Sequence, residues 1–322
     1  MENEPLLTEN KSRYCLFPIQ HNDLWQLYKK QVASFWTSEE CEYTADRDDF
    51  DNKLTDDERH FVKMVLAFFA SSDGIVIDNL GQRFLAEAKA PELVANYTIQ
   101  MFIEQVHSEV YSLLLDSYIR DEKEKRKLFN AIEEIPCIKK KADWAIKWIN
   151  DKESNYATRL VAFACMEGIL FCSSFACIYY FKKRNLLKAL TFTNELISRD
   201  EGMHTELACL VYRKLNNKLS EETIHKIIKS AVDLEIDFTT ISLPCNLIGM
   251  NSGLMVEYIK FVADRLATQL GVKRIYDASN PFGFMELISL ENKANMFESN
   301  ISAYSLDTNI PDDDCFNFTS EF

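Results

Sequence analysis

Three of the chain's five histidines sit in Glu-x-x-His motifs: Glu104/His107, Glu201/His204 and Glu222/His225. Residues three apart share one face of a helix, so each pair can offer a carboxylate and an imidazole to one metal ion. Context separates the three. Glu222 and His225 share a stripe with Lys226, Lys229 and Asp233, with Ile224, Ile227, Ile228 and Ala231 on the other side. That is a solvated face, and no function is assigned to it. Glu104 and His107 lie among Met101, Phe102, Ile103, Leu113 and Leu114, and Glu201 and His204 lie between Ile197 and Leu207, Ala208, Leu210 and Val211. Two lone acids sit on equally apolar stripes: Asp73 with Leu66, Phe69, Ala70, Val76 and Leu80, and Glu167 with Phe163, Ala164, Leu170, Phe171 and Phe175. A carboxylate in such a place is expensive unless it is paired or metal-bound.

The order forms a weak repeat. Asp73 precedes Glu104-x-x-His107, and Glu167 precedes Glu201-x-x-His204 at a similar distance. Each half is a long helix with one acid, a connection, and a long helix with Glu-x-x-His. Two such pairs make a four-helix bundle with four carboxylates and two imidazoles aimed inward, the ligand set of a ferritin-like di-metal carboxylate site. Two divalent cations balance the four negative charges, and hard oxygen ligands with one imidazole per metal suit Fe or Mn. Gly74, Gly168 and Gly202 each follow one of these acids, which predicts close helix approach at the metal layer. Tyr111 lies one turn beyond His107 on the same face, where a phenol can serve as a one-electron donor. The site alone leaves open iron storage, a desaturase-like oxidase and a radical generator.

The elements that must position these residues can be read from the chain. Gly and Pro number only 8 and 7 in 322 residues, well below the average of about 12%, which favours long helices over turn-rich folds. The spacing predicts an irregular segment over 1–20 and a helix from Asn22 or Asp23. The stretch 36–52 reads as a polar loop. Thr55-Asp56-Asp57-Glu58 has the form of a capping box and opens a long helix to about Phe84. Pro91 opens another to about Arg120. Two shorter helices flank Pro136, and long helices are expected over about 154–182 and 186–216. Further helices follow Ser220 and span about 253–270. The expected organisation is all-α: an irregular segment 1–20, one helical ferritin-like domain over 21–280 with additional helices around the bundle, and a partly flexible tail over 281–322.

Composition narrows the partners. The formal charge of −14 disfavours nucleic acid and anionic membranes. Leu160–Phe181 is long enough to span a bilayer, but its only charge, Glu167, falls mid-span, so it reads as a buried core helix. Nine scattered cysteines with no CxxC pair, and a polar, acidic Met1–Asn10, point to a reducing, cytoplasmic setting without a targeting peptide. No Gly-rich phosphate loop is present.

The chain closely resembles one family, the small radical-generating subunit of class I ribonucleotide reductase of the eukaryotic and large-DNA-virus type. The resemblance runs from about Phe17 to Phe297. It rests on Ala33-Ser34-Phe35-Trp36-Thr37, Leu66-Ala67-Phe68-Phe69-Ala70-Ser71-Ser72-Asp73-Gly74 and Glu104-Gln105-Val106-His107-Ser108-Glu109-Val110-Tyr111. It continues through Asn194-Glu195-Leu196-Ile197-Ser198-Arg199-Asp200-Glu201-Gly202-Met203-His204 and Asn280-Pro281-Phe282. The resemblance implies metal ligands at Asp73, Glu104, His107, Glu167, Glu201 and His204, and a radical at Tyr111. It implies an apolar radical pocket at Phe171, Phe175 and Ile197, and radical transfer through Trp36, Asp200 and Tyr304. It further implies two Fe per chain in an oxo-bridged cluster, with Mn able to substitute, and ribonucleoside-diphosphate reductase activity only with a large subunit. The chain is expected to dimerise with itself or a sister small subunit, and its acidic tail, ending at Phe322, is expected to dock on the large subunit. The tail keeps the terminal Phe and the acidic run but departs from the family pattern between them. The rival reading is a ferritin-like di-iron oxidase or iron-storage protein.

Overall fold

The computed structural model describes residues 4–10, 13–283 and 285. Among them are twelve α-helices and no strand. In chain order they are α1 Asn22–Ala33, α2 Asp56–Asn79, α3 Leu85–Glu87, α4 Pro91–Tyr118, α5 Glu122–Phe129, α6 Ala131–Glu134, α7 Pro136–Asn150, α8 Tyr156–Gly168, α9 Cys172–Lys183, α10 Lys188–Lys214, α11 Glu221–Asp237 and α12 Ser252–Gln269. Helix α2 packs along α4 and α8 along α10, and α4 also meets α10, which closes the four-helix bundle. Helix α1 covers α4 and α10, α7 lies against α2 and α8, and α11 and α12 cover α8.

The ends of these helices follow from local chemistry. Thr55 and Glu58 form the expected capping box on α2: the Glu58 amide donates to Thr55 Oγ1 at 3.2 Å and the Thr55 amide to Glu58 Oε2 at 2.8 Å. Pro91 takes the first turn of α4, where no amide hydrogen is needed. Helix α10 starts after Leu187, which holds a left-handed φ of 52° and gives no side-chain cap. Asp46 supplies the cap from a distant segment: its carboxylate accepts the Ala189 and Leu190 amides, both at 2.8 Å, and the Tyr118 hydroxyl at 2.7 Å.

Several expectations change. The segment 36–52 is a run of short helical turns, at Ser38–Glu40, Tyr43–Asp46 and Asp49–Lys53, because it must bring Asp46 to the head of α10. Three helices, not two, occupy 121–150. The helix expected over 154–182 is broken after Gly168 and restarts at Cys172. Of the three glycines, only Gly168 marks a close approach: a Cβ there would lie 3.1 Å from Thr205 Cγ2, whereas Gly74 and Gly202 have nothing within 4 Å. Both of those are exposed, about 100° around the helix from their neighbouring acids.

Two stretches, Asp56–Glu87 and Tyr156–Lys183, are long and apolar enough to cross a membrane. In the second, 94% of the most apolar window is buried inside the protein, so it is a core helix pair. The eight described cysteines are free thiols. Among the described residues, Glu222 pairs with Lys226 on the surface and His225 bonds the Lys273 carbonyl, as a solvated face should. The compact unit ends at Phe282. Pro281 and Phe282, the first residues of the expected tail, belong to that unit; Tyr304, Phe322 and the tail beyond residue 285 lie outside the described residues.

Candidate metal centre

The four bundle helices deliver the six candidate ligands to one interior layer: Asp73 from α2, Glu104 and His107 from α4, Glu167 from the last turn of α8, and Glu201 and His204 from α10. None is more than 3% exposed. Glu104, Glu167, Glu201 and His204 each present a ligand atom within 4.8 Å of the others. His107 Nδ1 joins them, 3.1 Å from Glu201 Oε1 and 3.4 Å from Glu104 Oε2. His204 Nδ1 lies 2.8 Å from Glu104 Oε1 and 3.3 Å from Glu201 Oε2. The Glu104 contacts are charge contacts without hydrogen-bond geometry, so neither Glu104 oxygen has a hydrogen-bond partner.

Burial and crowding redistribute protons among these groups. The Asp73 and Glu167 carboxyls are pushed well above the usual carboxylate range, first by burial and then by neighbouring carboxylates, Glu104 for Asp73 and Glu201 for Glu167. Glu201 moves the other way. Burial opposes its ionisation, but His204 and the neighbouring His107 imidazole outweigh that and hold it well below the usual range. Burial also works against charge on His204, yet Glu104 and Glu201 together raise it to about 9. His107 is raised well above its usual value for the same reason, with Asp200 and Glu104 overcoming burial.

The donor set fits a pair of divalent cations. Fully buried Asp73 Oδ2, both Glu104 oxygens, Glu167 Oε2 and His107 Nδ1 have no hydrogen-bond partner, and Glu104, Glu167, Glu201 and His204 form one close group that does not include Asp73. Buried polar atoms without partners are rare in native proteins, because each carries a desolvation penalty. Here they are carboxylate oxygens and imidazole nitrogens with no thiolate among them, which suits Fe(II) or Mn(II). Gln100 Nε2 donates to Glu167 Oε1 at 3.2 Å and leaves the other oxygen free.

Two further constellations adjoin the layer. On one side, His107 turns its Nε2 to Asp200 Oδ2 at 3.3 Å, and the same oxygen accepts the Trp36 indole N–H at 2.7 Å. Arg199 holds the other Asp200 oxygen at 3.0 Å and the Ser34 carbonyl at 2.7 Å. On the other side, Tyr111 is fully buried and its hydroxyl has no hydrogen-bond partner. Burial, and next the Asp73 charge, hold its phenol far above the usual range. Phe171 and Phe175 stand 5.7 and 5.0 Å from Phe69, centroid to centroid, and Phe69 stacks on Tyr111. Ile197 is buried one turn before Glu201. Phe69, Gln100 and Arg199 complete the site without having been singled out in the sequence. Phe69 and Gln100 each precede a candidate ligand by four residues, the helical spacing that could have found them.

Comparison with known proteins agrees with this arrangement. The sequence matches the family described as "Ribonucleotide reductase, small chain" over residues 13–281. The ribonucleoside-diphosphate reductase small chain of Variola virus is 56% identical over 301 residues, covering 94% of each chain. The ribonucleoside-diphosphate reductase small subunit of Dictyostelium discoideum is 55% identical over 302 residues, 94% of this chain and 89% of that one. The solved homodimer of the ribonucleotide reductase Rnr4 from Saccharomyces cerevisiae is 38% identical, with a TM-score of 0.81 over 93% of this chain and 92% of that one. The dimanganese(II)-NrdF of Streptococcus sanguinis shares the fold, with a TM-score of 0.70 at 20% identity over 84% and 94% of the two chains. By sequence over nearly its whole described length and by fold, the chain belongs to the ribonucleotide reductase small-chain family.

Proposed function

We propose that Asp73, Glu104, His107, Glu167, Glu201 and His204 hold two iron ions per chain, with manganese as the alternative metal, and that Tyr111 carries the radical they generate. The chain is the small, radical-generating subunit of ribonucleoside-diphosphate reductase, an oxidoreductase that works with a large subunit. The observation that carries the metal assignment is the close buried group of Glu104, Glu167, Glu201 and His204, with carboxylate oxygens that have no hydrogen-bond partner. When bound, the two metals would react with dioxygen, the terminal oxidant, and supply the one-electron oxidising equivalent for Tyr111.

The protein's own residues do the rest. Burial holds Tyr111 as the protonated phenol in its pocket. The rings of Phe69, Phe171 and Phe175 keep water and reductants away from the oxidised phenol. Asp200 bridges His107 to Trp36, which supports a route for the hole from the metal layer toward the surface. We assign the last step of that route to Tyr304 and docking on the large subunit to the tail ending at Phe322. A homodimer, like the Rnr4 assembly, and a cytoplasmic location complete the proposal, together with a single domain over 21–280. A storage protein or two-electron oxidase would have no use for the Trp36–Asp200 contact.

The test is an absorption and electron paramagnetic resonance scan of iron-loaded, oxygen-exposed protein. A sharp tyrosyl band with its organic-radical resonance, absent in Tyr111→Phe, is expected. Iron absorption with no radical in the wild type would overturn the assignment.

A further inference from the structure

The break between α8 and α9 follows Gly168, a weak helix former, but Gly74 and Gly202 lie inside unbroken helices, so a glycine alone does not account for it. Ile169, Leu170, Phe171 and Cys172 are all compatible with a helix, and no proline is present. Yet the Ile169 and Leu170 amides both bond the Cys165 carbonyl, at 2.9 and 3.1 Å, and the Cys172 amide bonds Ile169. The wide turn this makes lies between Glu167 and Phe171.

A buried ion pair grips both sides of that turn. Lys141 Nζ, on α7, lies 2.7 Å from Glu235 Oε2, on α11, and their side chains are 1% and 0% exposed. Lys141 donates to the Leu170 carbonyl. Glu235 Oε1 accepts the Ser173 amide at 3.1 Å and the Ser173 hydroxyl, so it caps a helix that starts with no side-chain cap of its own. The Lys141 ammonium also sits 3.7 Å from the Phe68 ring centroid and 4.0 Å from that of Phe238. Phe68 packs against Phe171 and Phe69 at 5.7 and 5.5 Å. A buried ion pair is poor evidence for stability, because desolvation offsets its attraction. Its placement here points to a different use.

We propose that Lys141 and Glu235 are positioning residues that hold the α8–α9 break open and thereby set the Glu167 carboxylate against the metal layer and the Phe171 ring against Phe69. Without them, the segment 168–173 relaxes toward continuous helix, which rotates Glu167 and Phe171 relative to each other. The inference rests on the assignment of Glu167 as a metal ligand.

The test uses the full metal-free chain and Mn(II) alone as probe, with free Mn(II) followed by electron paramagnetic resonance. Lys141→Met/Glu235→Leu replaces the pair with apolar groups of similar size, an exchange that is often neutral for stability. Its Mn(II) affinity is expected to fall at least about tenfold, and amide exchange over 168–175 is expected to rise. Lys141→Met/Glu235→Gln keeps an acceptor for the Ser173 amide and should recover part of the loss. Wild-type affinity in the folded Leu variant overturns the proposal. If that variant does not fold, Ser173→Ala decides, with about a two- to tenfold loss expected and an unchanged affinity overturning the proposal. Failure of the wild-type chain to bind Mn(II) would instead sink the metal-site reading, while the exchange comparison would still report on the break.

Discussion

Tyr111 lies flat against Phe69, with ring centroids 4.6 Å apart and an interplanar angle of 5°. The two residues come from different helices, α4 and α2, and Phe69 is one turn before Asp73. The same ring therefore walls the phenol and supports a ligand's helix. Phe69→Ala is expected to cost about 3–5 kcal/mol of stability and to shorten the lifetime of the tyrosyl radical. The resonance decay after iron and oxygen loading measures it, and Phe69→Leu, which refills most of the space, should decay more slowly than Phe69→Ala. Equal decay in wild type and Phe69→Ala would show that the stack does not shield the phenol.

Metal binding should stabilise the fold strongly, because cations satisfy buried carboxyl oxygens that have no hydrogen-bond partner without them. Mn(II) at a hundredfold excess over its dissociation constant is expected to add about 2.7 kcal/mol per site, read as a rise in melting temperature. Glu167→Ala should lose most of that rise while leaving the metal-free protein folded, since Glu167 is pushed toward its neutral form there. A full metal-induced rise in Glu167→Ala would remove this residue from the ligand set.

The bundle, and the gathering of buried acids and histidines in its interior, were legible in the sequence because both signals are local. An acid or a Glu-x-x-His pair on an apolar stripe declares itself within two turns of helix. What was not legible depends on distant partners. The cap of α10 is Asp46, which lies far away in the chain in a segment that reads as a polar loop. The α8–α9 break is held by Lys141 and Glu235, which belong to other helices and look like ordinary surface charges in sequence. Gly74 and Gly202 misled for a related reason: of the three glycines that follow an acid only Gly168 meets another helix closely, and which one does depends on the packed neighbour, not on the local spacing.

The irregular N-terminal segment is tied to the bundle by a second buried acid, and this gives a pH dependence. Glu92 accepts a two-pronged contact from Arg13, at 3.0 and 2.8 Å, and the Gln20 amide at 2.7 Å. Burial alone would raise its carboxyl, but Arg13 and the amides outweigh that and hold it at about 2, against 4.5 for a free glutamate. A lowered folded-state value means that the contact's stabilisation is complete above about 4.5 and disappears as pH falls toward 2. The melting-temperature difference between wild type and Glu92→Gln should be constant at neutral pH and shrink between pH 4.5 and 2. A difference that does not depend on pH over that window would show that the carboxylate is not preferentially stabilised in the fold.

Asp200 permits a sharper separation of roles than any metal ligand does. Its Oδ2 is shared by Trp36 Nε1 at 2.7 Å and His107 Nε2 at 3.3 Å, while Arg199 balances its charge from the opposite oxygen. His107 meets the carboxylate cluster through its other nitrogen, Nδ1. Asp200→Asn preserves the shape and removes the charge that orients both rings, so metal content and the yield of the Tyr111 radical should stay near wild type. Nucleotide reduction with the large subunit should fall about 10- to 100-fold or more, as expected when a hydrogen-bond partner behind a ligand is changed. Trp36→Phe, which deletes the indole N–H and leaves the His107–Asp200 contact in place, should give the same pattern. Metal counting, radical quantification and turnover on one preparation check all three quantities. If Asp200→Asn lost metal and radical in proportion to turnover, the Trp36–Asp200–His107 contact would be a scaffold for the metal layer and not a path out of it.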